Sequence, residues 1–132
     1  MGTHGAIALT MPNGKHMCVE RTMDGNLVHM EYEVLRAVQQ GPTALIELGL
    51  ELYARPRFGT GSVQYDKDRE HAHYGNFMHI DAKNRILTLT WLDPEGYDPE
   101  EPLDPQRVAG FRRALQRHGW RLVTDEGDCP HP

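Results

Sequence analysis

Residues 71–92 read HAHYGNFMHIDAKNRILTLTWL and hold three of the eight histidines of this 132-residue chain. The alternation of apolar and polar residues in its second half predicts a half-buried strand over residues 86–92. The first half predicts a partner strand, and residues 81–85 between them carry the Asp and Asn that favour a turn. The stretch therefore predicts a β-hairpin, against which the other elements are expected to pack.

Two registers are open to this hairpin. A three-residue loop that ends on Asn84 in the left-handed conformation places Phe77 opposite Leu89 and puts His79 on the apolar face. A two-residue loop would instead pair Met78 with Leu89. Because a slip of one residue exchanges the two faces of a strand, the choice decides where His79 points. We favour the first register, since it gives Asn84 a physical reason to be at its position.

The first half of the chain predicts a second hairpin and two helices. Asn-Gly at positions 13–14 lies between apolar runs, which favours a hairpin over residues 6–21. Apolar residues at helical spacing predict an amphipathic helix from Leu27 to Gly41-Pro42, with Glu33 on its polar face. A second helix is expected from Thr43 to about Arg55, followed by a loop over residues 56–70 with a short strand at 62–65.

The second half predicts a third helix and a last strand. Asp104 is a suitable N-cap and Pro105 a suitable first helical residue. Gly119 is typical of the residue just past a helix end, and residues 120–124 predict a strand. The fold class is therefore α+β: a mostly antiparallel sheet built from two β-hairpins and a C-terminal strand, packed against about three helices. We expect one domain over residues 1–132.

Composition narrows the functional classes. The formal net charge is −5, which argues against general nucleic-acid binding because such binding needs a basic surface. There is no run of about 18 apolar residues that could span a membrane, and the N-terminus lacks the order of a signal peptide. Cys18 and Cys129 are too few for a disulfide framework and are expected to be free thiols. We expect a soluble protein of the cytoplasm.

An acidic segment precedes the third helix. Residues 93–105 contain six acids and four of the nine prolines, and they predict an exposed loop at 93–104. The helix that follows is rich in arginine. An acidic segment next to a basic helix usually means that the two charges balance each other on a solvated surface. The same pattern also suits an interaction surface on which electrostatics guide a partner. The candidate binding residues are Glu95, Asp98, Glu100, Glu101, Arg113 and Arg117. The chain is expected to close with a loose tail at 125–132.

His71 and His73 are the candidate metal ligands. Two residues apart on a strand, their imidazoles point the same way with Cβ atoms roughly 6.5–7 Å apart, which suits one ion. A zinc site needs further ligands, and His79 lies roughly 20 Å beyond His73 along a straight strand. A solvated strand face is therefore the default interpretation. No cofactor is expected, and zinc or another divalent metal is the alternative.

The opening MGTHGAIAL, the Asn-Gly hairpin and the turn Met23-Asp24-Gly25 before a helix together resemble a group of small uncharacterised bacteriophage and prophage proteins. That group begins with MGTR and ends in a polar and aromatic hairpin similar to residues 71–92. This chain has His4 in place of the arginine, lacks the Tyr-Pro that commonly follows Asp-Gly, and adds the acidic loop and the arginine-rich helix. The resemblance covers residues 1–92 and implies a phage or mobile-element origin, without a catalytic residue.

These observations favour a small non-enzymatic accessory protein of a phage or mobile element. We expect it to act by binding a macromolecule, a host or phage protein rather than nucleic acid or a membrane, and to inhibit or modulate a host system. Two alternatives stay open. One is a metal-dependent enzyme that uses the His71 and His73 pair, and the other is a minor virion component.

Overall fold

A computed structural model of the chain describes residues 5–21, 27–41, 43–45, 47, 54–60, 76–91 and 105–125. These residues form six strands and two complete helices. In chain order they are β1 (Gly5–Thr10), β2 (Lys15–Arg21), α1 (Leu27–Gln40), β3 (Ala54–Thr60), β4 (Asn76–Asp81), β5 (Ile86–Trp91), α2 (Pro105–Arg117) and β6 (Arg121–Asp125). Residues 43–45 and 47 are also helical. The protein is therefore α+β, as the sequence predicted.

The strands form one sheet in the order β3-β2-β1-β4-β5-β6. The pairs β1–β2, β2–β3 and β4–β5 are antiparallel, whereas β1–β4 and β5–β6 are parallel. The prediction of a mostly antiparallel sheet is wrong, because the two hairpins join each other through parallel strands at the centre of a mixed sheet. The last strand adds to β5 after the chain passes through α2, which is how parallel neighbours are connected.

One face of the sheet carries the main core. Side chains from β1, β2, β4, β5 and β6 alternate onto this face, where they meet apolar residues of α1 and α2. Met30 and Val34 of α1 and Phe111 and Leu115 of α2 are at most 2% exposed. Their spacing of three or four residues puts each pair on one side of its helix, which explains why both helices lie on the sheet.

The opposite face of the sheet is also buried over its centre. Ala6, Ala8, Cys18 and Phe77 form a second, smaller apolar cluster there. Thr90, on the same face, is only 2% exposed. The sheet is thus covered on both sides in this region, and the Cys18 thiol is buried and forms no disulfide within the described residues.

The hairpin of β4 and β5 has the register that we did not favour. Met78 pairs with Leu89, and His79 pairs with Thr88 on the face away from the main core. Asn84 does not hold the left-handed conformation, which falls instead on Arg85 with a φ of 55°. The physical reason is that the Asp81 carboxylate accepts hydrogen bonds from the Lys83 and Asn84 backbone and fixes a longer turn.

The segment 54–60 is a further correction. The sequence predicted the end of a helix near Arg55 and then a loop, but residues 54–60 form β3, paired antiparallel with β2. Pro56 lies inside this strand, opposite Val19. Because β3 is the outermost strand of the described sheet, the missing N–H of proline removes no bond to a further strand.

The C-terminal ends of α1 and α2 follow the sequence closely. Gly41 has a φ of +94° and its N–H bonds to Ala37 O at 2.8 Å, which ends α1 where it was predicted to end. The prediction of which residues form the polar face of α1 was partly wrong, because Glu33 is buried. Residues 43–45 are helical, as predicted from Thr43, and the remainder of that helix up to residue 53 is described only at residue 47.

The end of α2 forms a Schellman motif. Trp120 N–H bonds to Leu115 O and Gly119 N–H bonds to Gln116 O, both at 3.0 Å, with Gly119 at a φ of +77°. Trp120 folds back against the main core, as the sequence predicted. The predicted acidic loop at 93–104 lies outside the described residues. The predicted tail at 125–132 is described only at Asp125, which is the last residue of β6 and not part of a loose tail.

Candidate functional site

Helices α1 and α2 lie side by side and run in the same direction. Near their N-terminal ends, Arg107 Nη1 donates to Glu31 Oε1 at 2.8 Å. Near their C-terminal ends, Gln39 Nε2 donates to His118 Nε2 at 3.0 Å. The two contacts join matching ends of the helices, so the surface between them is bounded by a polar bridge at each end.

A groove opens between these two bridges. Its cavity volume is about 360 Å³. Two kinds of residue line it, charged or polar ones at its end and apolar ones along its floor. They are Glu31, Leu35, Gln106, Arg107, Gly110, Phe111 and Ala114.

The floor of the groove belongs to the main core. Phe111 is only 2% exposed, and it packs in the core while also facing the cavity. Leu35 packs against the same core from α1 and is half-buried. The floor is therefore rigidly supported, since moving either side chain would disturb the packing of helix on sheet.

Gly110 leaves the middle of the groove open. It is the only glycine within α2, and in the described part of the chain a Cβ at this position would meet one neighbour, Arg113 Nη2, at 3.7 Å. That distance is an ordinary van der Waals contact. The groove therefore exists at this point because residue 110 has no side chain, and the Arg113 guanidinium stands at its edge.

Exposed arginines form the shoulder of the groove on α2. Arg113 follows Gly110 by three residues and Arg117 follows Ala114 by three, so each lies next to a lining residue on the same side of the helix. Both side chains are exposed. Arg117 also stands in the last turn of α2, where a cation is favoured by the helix dipole. The helix dipole therefore accounts for a cation at Arg117, but it does not account for Arg113.

The shoulder on α1 carries an aromatic side chain. Tyr32 is 63% exposed and is the most exposed large hydrophobic residue in the described part of the chain. It precedes Leu35 by three residues, which places it on the groove side of α1. Exposed tyrosine and arginine around an apolar floor is the composition that characterises the centres of protein interfaces.

The electrostatic character of the site is positive. The residues Pro105–Arg117 include four arginines and no acid. Among the residues that line the groove, the single acid is Glu31, and Arg107 already neutralises it. The described site therefore presents uncompensated positive charge at Arg113 and Arg117, on a chain whose overall charge is −5.

The sequence proposed Arg113 and Arg117 as binding residues, and the structure places both on one shoulder of the groove. The acidic candidates Glu95, Asp98, Glu100 and Glu101 lie outside the described residues, as do the metal candidates His71 and His73.

Sequence reasoning missed the other contributors to the groove. Among them are Glu31, Tyr32, Arg107 and Gly110. Two signals could have found Tyr32 and Gly110. A tyrosine on the polar face of an amphipathic helix and a glycine inside a helix both go against ordinary preference, because one exposes apolar surface and the other weakens the helix.

A second polar cluster lies on the opposite face of the sheet. Thr10 Oγ1 and His79 Nε2 are 2.7 Å apart and join β1 to β4. Partial burial raises the pKa of the neighbouring Asp81, but hydrogen bonds from Asn84 and Lys83 and the proximity of His79 outweigh it and lower that pKa below its ordinary value. This network joins the ends of β1 and β4 to the turn that follows β4.

Two observations on the described residues concern metal binding and membranes. No group of three or more His, Cys, Asp or Glu side chains that could hold a metal occurs among them. Within the same residues, no helix is long and apolar enough to cross a membrane. Comparison of the chain with protein-family models, with curated proteins and with solved structures finds no match.

Proposed function

We propose that this protein is a small non-enzymatic accessory protein of a phage or mobile element. It acts in the cytoplasm of the host cell by binding a host or phage protein, and through that contact it inhibits or modulates a host system. The origin is supported by the resemblance of residues 1–92 to small phage proteins. The mode of action is supported by the surface of α1 and α2.

The observation that carries the proposal is the groove between α1 and α2 with its exposed rim. Tyr32 on one shoulder and Arg113 on the other flank an apolar floor that includes Phe111. Tyrosine and arginine are enriched among the residues that dominate binding energy at protein interfaces. A partner that covers the exposed Tyr32 and the half-buried Leu35 removes apolar surface from water, which is favourable.

A protein partner suits this surface better than nucleic acid. The apolar floor offers nothing to a phosphate backbone, and the overall charge of −5 opposes approach to a polyanion. An acidic region of a protein is attracted locally by the arginines and can also bury apolar side chains. The same charges would speed its association and help to reject basic partners.

The test is capture of partners from cells of the natural bacterial host by a tagged protein, followed by purification of each partner and measurement of its affinity. Arg113→Glu reverses one charge on the groove shoulder. Arg121→Glu is the matched control, because Arg121 is also exposed but lies on β6 beside Leu122, whose side chain points into the main core. Successive strand residues point to opposite faces, so Arg121 points away from the helices.

We expect Arg113→Glu to lower the affinity for a genuine partner by about tenfold or more, equivalent to about 1.4 kcal/mol. Arg121→Glu should leave that affinity nearly unchanged. Partners that bind both variants as they bind the natural protein would refute the role of this surface. A host substrate that the purified protein converts chemically would refute the non-enzymatic part of the proposal.

A further inference from the structure

We infer that the groove between α1 and α2 accepts an acidic segment of a protein partner, with one bulky apolar side chain seated over Gly110. The inference rests on the proposed function and specifies the chemistry of the partner.

The first argument is the presence of glycine at position 110. Glycine inside a helix costs about 1 kcal/mol relative to alanine. Within the described residues nothing requires the position to be small, because a Cβ there would make only an ordinary contact with Arg113. The helix that carries this cost keeps space in the groove at residue 110, and that space admits a side chain from outside.

The second argument is the shape of the cavity. About 360 Å³ lies at the small end of the range for sites that bind ligands. The bridge from Glu31 to Arg107 bounds it at one end and the bridge from Gln39 to His118 lies beyond its other end. A bounded groove of this size suits one or two inserted side chains, and it is too short to receive the whole face of a helix.

The third argument is charge complementarity. Arg113 stands beside the opening over Gly110 and Arg117 lies next to Ala114 farther along the groove, and their planar guanidinium groups bind carboxylates with paired hydrogen bonds. Arg107 lies at the end of the groove with its own side chain 41% exposed, so an incoming carboxylate can reach its guanidinium beside the half-buried Glu31. Acidic residues on both sides of the apolar anchor would therefore each meet an arginine.

The experiment uses a displayed library of random peptides, selected on the full-length protein. The peptides that are enriched are then synthesised, and their affinities are measured for the natural protein and for three variants. Gly110→Met fills the groove without changing charge, and methionine is favoured over glycine in a helix, so the variant should fold. Arg113→Glu reverses a charge on the shoulder, and Arg121→Glu is the matched control on the opposite face of the sheet. Circular dichroism and thermal melting confirm that each variant is folded.

We expect the enriched peptides to share a Leu, Phe, Met or Trp with Asp or Glu on both sides. Gly110→Met and Arg113→Glu should each lower the affinity for these peptides by about tenfold or more, and Arg121→Glu should lower it by less than about twofold. Replacing the apolar anchor by glycine in the peptide should abolish the effect of Gly110→Met, because nothing then enters the groove.

Several outcomes would overturn the inference. They are the absence of any enriched peptide, enrichment without acidic residues, and binding that is unaffected by Gly110→Met. A small apolar molecule or duplex DNA that occupies the groove, with binding lost in Gly110→Met, would identify a different occupant. A captured host protein that depends on Arg113 but not on Gly110 would overturn this inference alone and leave the proposed function intact.

Discussion

The Glu31 carboxylate accepts a hydrogen bond of 2.8 Å from Arg107 Nη1 and so joins α1 to α2 beside the candidate binding groove. The two side chains are 22% and 41% exposed, which makes this a surface ion pair. Such pairs contribute about 0–1 kcal/mol to stability, because water already solvates both charges. The pair therefore matters more for the charge of the groove than for the fold.

Replacing Glu31 with glutamine should increase affinity for an acidic partner. The change frees Arg107 from its carboxylate and removes the single acid among the residues that line the groove. We expect the free energy of unfolding to change by less than about 1 kcal/mol, while acidic peptides selected on the natural protein bind more tightly. Fluorescence polarisation at low and high salt measures this gain. A loss of affinity would show that Glu31 itself contacts the partner.

The two glycines of the α2 region should respond oppositely to alanine. Gly110→Ala adds a methyl group in open space and improves helix propensity, so it should stabilise the fold by about 0.5–1 kcal/mol. Urea denaturation measures this change. A destabilisation of similar size would mean that the methyl group disturbs the Arg113 side chain or the packing below it.

Gly119→Ala should destabilise the fold by about 1–2 kcal/mol, because Gly119 has a φ of +77° that an L-residue with a Cβ adopts at a cost. Space is not the reason, since a Cβ would make an ordinary contact of 3.5 Å with Arg85 Nη1. Gly119→Asn is the matched control. Asparagine tolerates the left-handed conformation better than alanine, so it should lose less stability.

Phe111→Ala should have the largest effect among these variants. Its ring is 2% exposed and supports both the core and the floor of the groove, so its removal leaves a cavity and should cost about 3–5 kcal/mol. Gln116→Ala, an exposed change in the same helix, should stay within about 0.5 kcal/mol of the natural protein. Equal effects of the two changes would contradict the packing of α2 on the sheet.

Helices α1 and α2 were readable from the sequence because their signals are local. Val108, Phe111 and Leu115 have helical spacing, and Gly119 provides the left-handed residue that the Schellman motif needs. The parallel pairing of β1 with β4 was not readable. It joins segments about seventy residues apart in the chain, such as Ala8 and His79, and no local pattern encodes which strands become neighbours.

The hairpin register shows a different limit. Phe77 and Met78 are both fully buried although they point to opposite faces of the sheet. When both faces of a strand are covered, the alternation of apolar and polar residues no longer identifies the core face. The turn decided the register instead, through side-chain bonds of Asp81. Arg113 and Arg117 could be proposed as binding residues from composition, whereas the groove beside them required the packing of two helices that are distant in sequence.

Asp81 makes the hairpin turn dependent on pH. Its Oδ1 accepts from the backbone N–H of Lys83 at 3.0 Å and of Asn84 at 3.2 Å, and its Oδ2 accepts from Asn84 Nδ2 at 2.8 Å. Burial raises the pKa of this carboxyl, but the three bonds and the nearby His79 lower it by more, so the folded pKa lies below its ordinary value. A carboxyl group with a lowered pKa stabilises the folded state in its ionised form.

The stabilisation by Asp81 should therefore be fully present above the unfolded pKa of about 3.9 and should disappear as the pH falls through the lower folded pKa. Asp81→Asn removes the charge and places a donor opposite the Asn84 amide. We expect it to be less stable than the natural protein at neutral pH, with a difference that shrinks below about pH 4. Asn84→Ala, which keeps the carboxylate and both backbone bonds, should lose less. Urea denaturation across this pH range and an NMR titration of the Asp81 carboxyl measure the effect, and a difference that grew as the pH fell would show that the carboxylate does not hold the turn.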